Sequence, residues 1–263
     1  MSDKSEKPRS DTALAALQGV LQKIARLSPE ETRQVTSYLA QGTVNDSAAG
    51  NRLRNAAIRV SNARTLVMLS GGLDSVGMLY LLLKQEHGHP LHVHHVNLYG
   101  WESDGKPVAE SLAIRDVTDY LWAQGYRFEY SESTVHYEYS AFDQSIYYFQ
   151  AASLAASMPL VSRVAIGRLN EDIPDTQKSP FRVHPTTAGI AVFNTVLEQW
   201  PLQERHVEVV YPVEKFSKAA LAAALPQDLK DLACSCRSPV IVDDNSWARC
   251  GKCTKCRAVK PKP

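Results

Sequence analysis

Residues 65–75, which read TLVMLSGGLDS, decide the fold of this chain. Residues 65–69 form a short apolar run, which is typical of a strand buried on both faces of a sheet. Two adjacent glycines follow, and glycine readily takes the backbone conformations of a tight turn beside a ligand. Residues 74–85 then carry the apolar spacing of a helix. This succession predicts an anion site, because the turn and the helix N-terminus both present free N–H groups.

Residues 70–75, called the phosphate loop below, carry serine and aspartate side chains as well as glycines. Ser70 and Ser75 can supply hydroxyl donors, whereas Asp74 is unusual beside an anion unless a metal ion accompanies the phosphates or the carboxylate caps the helix. The loop is not a Walker loop, since no Gly-Lys-Ser/Thr follows. A glycine-rich turn without a ligand is the alternative interpretation. The residues assigned to the nucleotide are Ser70, Gly71, Gly72, Leu73, Asp74 and Ser75.

Strand and helix patterns alternate along the rest of the chain. The sequence predicts strands at residues 65–69, 91–98, 127–130, 164–166 and 207–211, and helices at 74–85, 107–124, 144–158, 186–200 and 217–225. Such alternation predicts an α/β fold with a doubly wound, mostly parallel sheet covered by helices on both faces. Ligands of such sheets bind outside the carboxyl ends of the strands, which is where the phosphate loop would lie.

Three segments are predicted from these patterns. Residues 1–62 form an N-terminal helical extension, residues 63–230 form the nucleotide-binding domain, and residues 231–263 form a C-terminal metal-binding segment. The extension carries an apolar stripe at helical spacing, made by Leu14, Leu17, Val20, Leu21 and Ile24. It is interpreted as a packing or oligomerisation element, and the alternative is a docking surface for a partner protein.

Composition narrows the class of protein. The chain has 263 residues and a formal net charge of +1, so no overall charge attracts it to nucleic acid or an anionic membrane. No apolar run is long enough to span a bilayer, and the first residues, MSDKSEKPRSD, lack the apolar core of a secretory signal. The protein is therefore expected to be cytoplasmic, with its five cysteines reduced.

All five cysteines fall near the C-terminus, where Cys250, Cys253 and Cys256 are spaced by two residues and Cys234 and Cys236 lie upstream. Two-residue spacing lets one tight turn supply two ligands, and a fourth thiolate closes a tetrahedron, so the pattern predicts a structural Zn²⁺ site. Cys236 is preferred as the fourth ligand, although spacing alone leaves Cys234 open. An iron–sulfur cluster is the alternative metal group.

The Ser-Gly-Gly-x-Asp-Ser stretch after a first strand resembles the signature of the N-type ATP pyrophosphatases, the PP-loop superfamily. This resemblance implies a fold like that of the adenine nucleotide alpha hydrolases, of HUP type. Members cleave ATP between the α and β phosphates, and the loop holds the leaving pyrophosphate while the substrate takes the adenylate. ATP and Mg²⁺ are the cofactors that the resemblance implies.

Loop and cysteines together resemble the QueC-like 7-cyano-7-deazaguanine synthases, over residues 65–257. The matching stretches are Tyr99-Gly100, Ile166-Gly167, Asn170-Glu171-Asp172, Pro174-Asp175, Pro212 with Ser217-Lys218, and Ser235-Cys236 with the three later cysteines and Arg257. The resemblance implies that a deazaguanine carboxylate attacks the α-phosphate, that pyrophosphate leaves, and that ammonia or another amine then forms an amide on the way to a nitrile. Asp74 and Asp172 would help to hold Mg²⁺, and Lys218 would offset phosphate charge. A homodimer is the expected assembly.

The chain also departs from that family. The family's Gln after Tyr-Gly is Trp101 here, its Asp-Cys-Arg stretch reads Asp175-Thr176-Gln177, and its Arg-Asn pair is absent from residues 142–145. These changes leave ATP use intact but favour a different final product.

Three alternatives stay open at this point. A QueC-like enzyme of an antiviral defence operon would join the deazaguanine acyl group to a protein amine. A tRNA-thiolating enzyme would need a reactive or cluster-binding thiol near the loop. A non-enzymatic zinc-ribbon protein would bind nucleic acid through its basic tail, which lacks aromatic side chains for stacking.

Overall fold

The computed structural model describes residues 64–85, 90–100, 105–137, 143–158, 160–169, 185–199 and 207–259. The chain divides after Ala63, and the predicted helical extension lies outside the described residues. The elements, in chain order, are β1 (Arg64–Met68), α1 (Leu73–Lys84), β2 (Leu91–Tyr99), α2 (Lys106–Ala123), β3 (Glu129–His136), α3 (Asp143–Ser157), β4 (Val161–Ile166), α4 (Pro185–Glu198), β5 (Glu208–Val210), α5 (Lys218–Ala224), α6 (Gln227–Leu232), β6 (Val240–Asp243), β7 (Ser246–Ala248) and α7 (Thr254–Val259). None of the described helices has the length and apolar character of a membrane span.

Five strands form one sheet in the order β3-β2-β1-β4-β5, with every neighbouring pair parallel. Val67 of β1 lies beside Val93 of β2 on one side and beside Ala165 of β4 on the other. The chain therefore builds outward from β1 in one direction, crosses to β4, and builds outward in the other. This reversal opens a crevice at the carboxyl end of β1, where open parallel sheets bind ligands.

Helices cover both faces of the sheet because successive strand residues point to opposite sides. Val67 and Leu69 pack with apolar residues of α1, α2, α5 and α6. Leu66 and Met68 instead pack with residues of α3 and α4, including Tyr148, which is 2% exposed. The predicted doubly wound parallel α/β sheet is confirmed.

The edge strand β3 is longer than the sequence predicted. The apolar pattern indicated residues 127–130, whereas the structure pairs eight residues, Glu129–His136, with β2. Serine, threonine and glutamate occupy many of these positions, and an edge strand needs fewer buried side chains than a central one. The pairing was therefore decided by β2 and not by the hydrophobicity of β3 itself.

The C-terminal segment folds onto α2. Strands β6 and β7 form an antiparallel hairpin whose Ile241 and Trp247 pack with the buried Ala109 and Ala113 of α2. Arg115 of the same helix donates a hydrogen bond of 3.1 Å to the backbone oxygen of Asn245. The cysteine segment is thereby fixed against the helix that follows β2.

Candidate functional site

The phosphate loop connects the end of β1 to α1 through a left-handed glycine. Gly71 has φ of +75°, a region that side chains disfavour. A methyl group at that position would also lie 3.2 Å from Cγ1 of Ile114 and 3.3 Å from the carbonyl oxygen of Glu110. Gly72 then precedes the helix with extended backbone and no capping side chain. The amides at the start of α1 are therefore left without a cap from this position.

Both loop serines are engaged within the loop. The Ser75 hydroxyl accepts a hydrogen bond of 3.1 Å from the Ser70 amide and donates one of 3.0 Å to the Gly72 carbonyl oxygen. The Ser70 hydroxyl lies 3.0 Å from the same Ser75 oxygen. Ser75, which is 3% exposed, thus braces the turn, while Ser70 is the more accessible hydroxyl.

Two amides of the first turn of α1, those of Asp74 and Ser75, have no hydrogen-bond partner in the described part of the chain. They face the end of β4, where Gly167 approaches closely. A methyl group on Gly167 would lie 2.6 Å from the Ser75 Cα and 2.8 Å from the Ser75 nitrogen. Only glycine at position 167 lets the end of β4 approach the start of α1 this closely. Two unpartnered amides at a helix N-terminus fit a phosphate group.

Asp74 and Lys218 lie together beside the loop. Ser217 caps α5 by accepting a hydrogen bond of 3.1 Å from the Ala220 amide, which places Lys218 at the first helical position. The Lys218 Nζ lies 3.2 Å from Oδ1 and 3.3 Å from Oδ2 of Asp74, and the contact to Oδ2 has hydrogen-bond geometry. Oδ1 is buried without a hydrogen bond among the described residues, so it suits a cation bound with the phosphates.

The segment between α6 and β6 touches the phosphate loop directly. The Cys234 amide donates a hydrogen bond of 2.8 Å to the Gly71 carbonyl oxygen. The Leu73 amide, at the first position of α1, donates one of 3.0 Å to the Ser235 hydroxyl. Ser235 therefore occupies one amide of the loop and leaves the following two for a ligand. Sequence patterns missed this link, since the residues it joins are more than 160 positions apart.

Four of the five cysteines come together in space. The structure groups Cys236 with Cys250, Cys253 and Cys256, with all four sulfur atoms within 4.8 Å of one another. The sulfur of Cys236 lies 3.5 Å from that of Cys256 and 4.0 Å from that of Cys253. Cys234 lies apart from this group and packs with alanines of α2. The donor set thus corresponds to the predicted one, and its role as a metal site stays a prediction.

Backbone amides point at the cysteine sulfurs. The amide of Cys250 donates to the Cys236 sulfur at 3.3 Å, and the amide of Cys253 donates to the Cys250 sulfur at 3.4 Å. Backbone hydrogen bonds, the largest from Arg237 and the next from Cys256, lower the pKa of the Cys253 thiol to about 6. Such bonds favour thiolates, which are the form that binds metal.

A second polar cluster, which the sequence patterns missed, lies where α2 and α3 begin. Lys106 Nζ lies 3.6 Å from Oε1 of Glu110 and 3.9 Å from Oδ2 of Asp143. The Tyr137 hydroxyl donates a hydrogen bond of 2.7 Å to Asp143. Burial raises the pKa of Glu110 to about 7 despite the nearby lysine, and the Asp143 charge acts in the same direction. A charged-residue pattern on a helix gives no sign of such burial.

The other residues that carried the family resemblance are partly within the described chain. Tyr99 stacks on His136 with ring centroids 4.9 Å apart, and a methyl group on Gly100 would lie 2.6 Å from the Tyr137 ring. Asp172, with the whole of residues 170–184, lies outside the described residues, as does Trp101. The roles predicted for Asn170, Glu171 and Asp172 therefore stay predictions.

The histidines of β2 form hydrogen bonds with neighbouring side chains and, at His95, with the backbone. The ring nitrogens of His94 lie 2.7 Å from the Ser131 hydroxyl and 3.0 Å from the Ser133 hydroxyl. Burial, followed by the charges of His92 and His95, lowers the pKa of His94 to about 4. The ring is therefore neutral at physiological pH and packs between β2 and β3.

Comparison with known proteins gives little beyond these observations. No protein-family model matches the chain, and no curated protein matches it. Among solved structures, it is similar to the U34-tRNA thiolase NcsA from Methanococcus maripaludis with its 4Fe-4S cluster. That likeness covers 80% of this chain and 67% of the other, at 18% identity and a TM-score of 0.39. What this chain's own residues form is a parallel α/β fold with a glycine turn between its central strand and the following helix.

Proposed function

We propose that this protein is an ATP-dependent enzyme of the PP-loop pyrophosphatase type, which transfers adenylate to a carboxylate and releases pyrophosphate. The unpartnered amides of Asp74 and Ser75, at the start of α1, carry this proposal. They lie at the carboxyl end of β1, beside the crevice where the strand order reverses. Amides fixed in this way stabilise charge that develops on a leaving pyrophosphate without any reorganisation during the reaction.

Asp74 and Lys218 supply charges of opposite sign beside the loop. Asp74, with its buried Oδ1, would hold Mg²⁺, and Asp172 is a second candidate ligand. When bound, the ion supplies a positive charge that offsets the phosphates. Lys218 is placed by the Ser217 cap so that its ammonium group can offset the charge of the leaving pyrophosphate. Residues 70–75 carry no lysine, so the loop is not of the Walker type, and its resemblance to the PP-loop signature supports cleavage that liberates pyrophosphate.

For the substrate, we propose a 7-carboxy-7-deazaguanine-like carboxylate, which an amine then attacks to release AMP. The support is the family resemblance of the loop together with the cysteine segment. Ammonia as the amine would lead to an amide or nitrile, as in the 7-cyano-7-deazaguanine synthases. A protein amine would instead give a conjugate, as in QueC-like enzymes of antiviral operons. The departures at Trp101 and residues 175–177 favour the conjugating variant.

For the cysteine group, we propose a structural Zn²⁺ ion. Four sulfurs at the Zn–S distance of about 2.3 Å around one tetrahedral ion lie about 3.8 Å from one another. Three of the six sulfur pairs here are separated by 3.5 Å, 3.9 Å and 4.0 Å, and all six lie within 4.8 Å. An iron–sulfur cluster places several atoms between its cysteine ligands and needs wider separations. Four thiolates leave no open position, so the ion would stabilise the segment that contacts the phosphate loop.

Thiolation of tRNA is less well supported. It would need a reactive thiol beside the phosphate loop, and Cys234 is the cysteine whose amide contacts that loop. Its side chain is only 3% exposed and is enclosed by Ala109 and Ala113, and this burial raises the pKa of the thiol. A protonated, enclosed thiol is a poor nucleophile.

The test is to incubate the purified protein with ATP, Mg²⁺ and 7-carboxy-7-deazaguanine, and to measure pyrophosphate, AMP and exchange of labelled pyrophosphate into ATP. Carboxylate-dependent exchange is expected, and Asp74→Ala combined with Ser75→Ala should abolish it. Asp116→Ala, an exposed acid on α2, is the control that should retain it. Mass spectrometry after addition of ammonia or a lysine peptide then separates the two products. Formation of ADP, or no nucleotide turnover with intact zinc, would contradict the proposal.

A further inference from the structure

The polar cluster of Lys106, Glu110, Asp143, Tyr137 and Tyr147 has no role in holding the nucleotide as described above. It lies at the carboxyl ends of β2 and β3, where the first turns of α2 and α3 meet. Glu110 is the enclosed carboxylate of the pair, since its side chain is 18% exposed against 57% for Asp143. The cluster therefore presents one sheltered carboxylate at the edge of the sheet where ligands bind.

Glu110 also borders the phosphate loop. Its carbonyl oxygen would lie 3.3 Å from a methyl group on Gly71, so the second turn of α2 packs against the glycine turn. The charged and titratable groups that face its carboxyl group are Lys106 on the same helix, Asp143 and Tyr147 on α3, and Cys234 after α6. The carboxyl group is close enough to Cys234 to raise the pKa of that thiol, and the Cys234 amide donates a hydrogen bond to the Gly71 carbonyl oxygen. The Glu110 carboxyl group therefore lies near the segment that contacts the phosphate loop.

Two features of the cluster lower the stability of the folded protein, and contacts with a bound ligand would offset that loss. Burial holds the pKa of Glu110 near 7, where a carboxyl group both accepts and returns a proton at physiological pH. The Tyr147 hydroxyl is buried without a hydrogen-bond partner in the part of the chain that the structure describes. Unsatisfied and perturbed polar groups of this kind are concentrated at functional sites.

We propose that Glu110 accepts the proton released when the amine attacks the adenylated carboxylate, a role that rests on the function proposed above. In that step the amine nitrogen forms a bond to the carbonyl carbon. The bond from that carbon to the adenylate oxygen breaks, and AMP leaves with the bonding electrons. The proton lost by the nitrogen passes to the Glu110 carboxylate and then to solvent. Lys106 and Asp143, the more exposed members, set the charge around this carboxylate.

The test separates adenylation from amide formation. Exchange of labelled pyrophosphate into ATP, measured without an amine, reports adenylation, and a single turnover after addition of ammonia reports amide formation. Glu110→Gln should leave exchange within about twofold and slow amide formation by about 100-fold or more. In the wild type the rate of amide formation, divided by the concentration of free NH3 at each pH, should rise through about pH 7 as Glu110 ionises, and Glu110→Gln should remove that limb. Asp116→Asn, on the same helix, should leave both steps unchanged.

Folding is checked independently, because glutamine mimics the protonated carboxyl group. A raised pKa in the folded state means that the wild type loses stability relative to Glu110→Gln as the pH rises from about 5 to about 8. If Glu110→Gln slows exchange as much as amide formation, or if the pH limb persists in the variant, Glu110 is not the proton acceptor. Absence of exchange in the wild type would instead refute the proposed function.

Discussion

Replacing Gly167 with alanine tests the phosphate loop most directly, because the new methyl group meets backbone atoms of the loop. The methyl carbon would lie 2.6 Å from the Ser75 Cα, 2.8 Å from the Ser75 nitrogen and 3.0 Å from the Asp74 carbonyl carbon. No rotamer change relieves contacts between a methyl group and backbone, so the start of α1 must shift. Overpacking of this kind costs about 1–3 kcal/mol of unfolding free energy.

The loss of ATP affinity can be derived from the same contacts. If the shift removes one hydrogen bond from the Ser75 amide to a charged phosphate oxygen, binding loses about 1.5–3 kcal/mol. This corresponds to a dissociation constant raised about 10- to 150-fold. Calorimetric titration with ATP and Mg²⁺ measures affinity, and denaturant unfolding measures stability.

Gly77→Ala is the matched control. A methyl group there would lie 2.8 Å from Cδ1 of Leu221, so it overpacks the core against a flexible side chain and not against the loop. We expect it to change stability while leaving ATP affinity within about twofold, since the phosphate loop is untouched. If Gly167→Ala binds ATP as tightly as Gly77→Ala does, the Ser75 amide does not bind phosphate.

The remaining predictions concern the metal segment and the paired lysine. Cys236→Ser should lower the zinc content measured by emission spectrometry, whereas Cys234→Ser should leave it unchanged; equal loss in both would show that the ligand set is different. Ser235→Ala should weaken ATP binding about 3- to 10-fold at full zinc content, because it frees the Leu73 amide and loosens the loop. Unchanged affinity would show that the contact is incidental. Lys218→Met should slow pyrophosphate exchange about 100-fold while Lys215→Met, an exposed lysine, leaves it intact, and equal rates would exclude a role in offsetting charge.

The sequence by itself determined the central part of the fold. An apolar run, two glycines and a helical pattern specify their own local structure, and the structure has β1, a left-handed Gly71 and α1 at these positions. The alternation of strand and helix patterns predicted the parallel sheet, because the spacing of apolar residues shows whether an element is buried on one face or on both. Two-residue cysteine spacing likewise brought Cys250, Cys253 and Cys256 together.

Tertiary structure decided the features that depend on contacts between distant residues. Ser235 contacts the Leu73 amide, Gly167 contacts Ser75, and Glu110 becomes enclosed beside Gly71 only when the segments that follow β1, β2, β4 and α6 converge at one edge of the sheet. No local sequence pattern predicts these contacts, since each depends on the strand order and on how the helices pack on the two faces of the sheet. Burial then raises the pKa of Glu110. The sequence alone does not predict this shift, because Glu110 lies on a helix that carries charges of both signs.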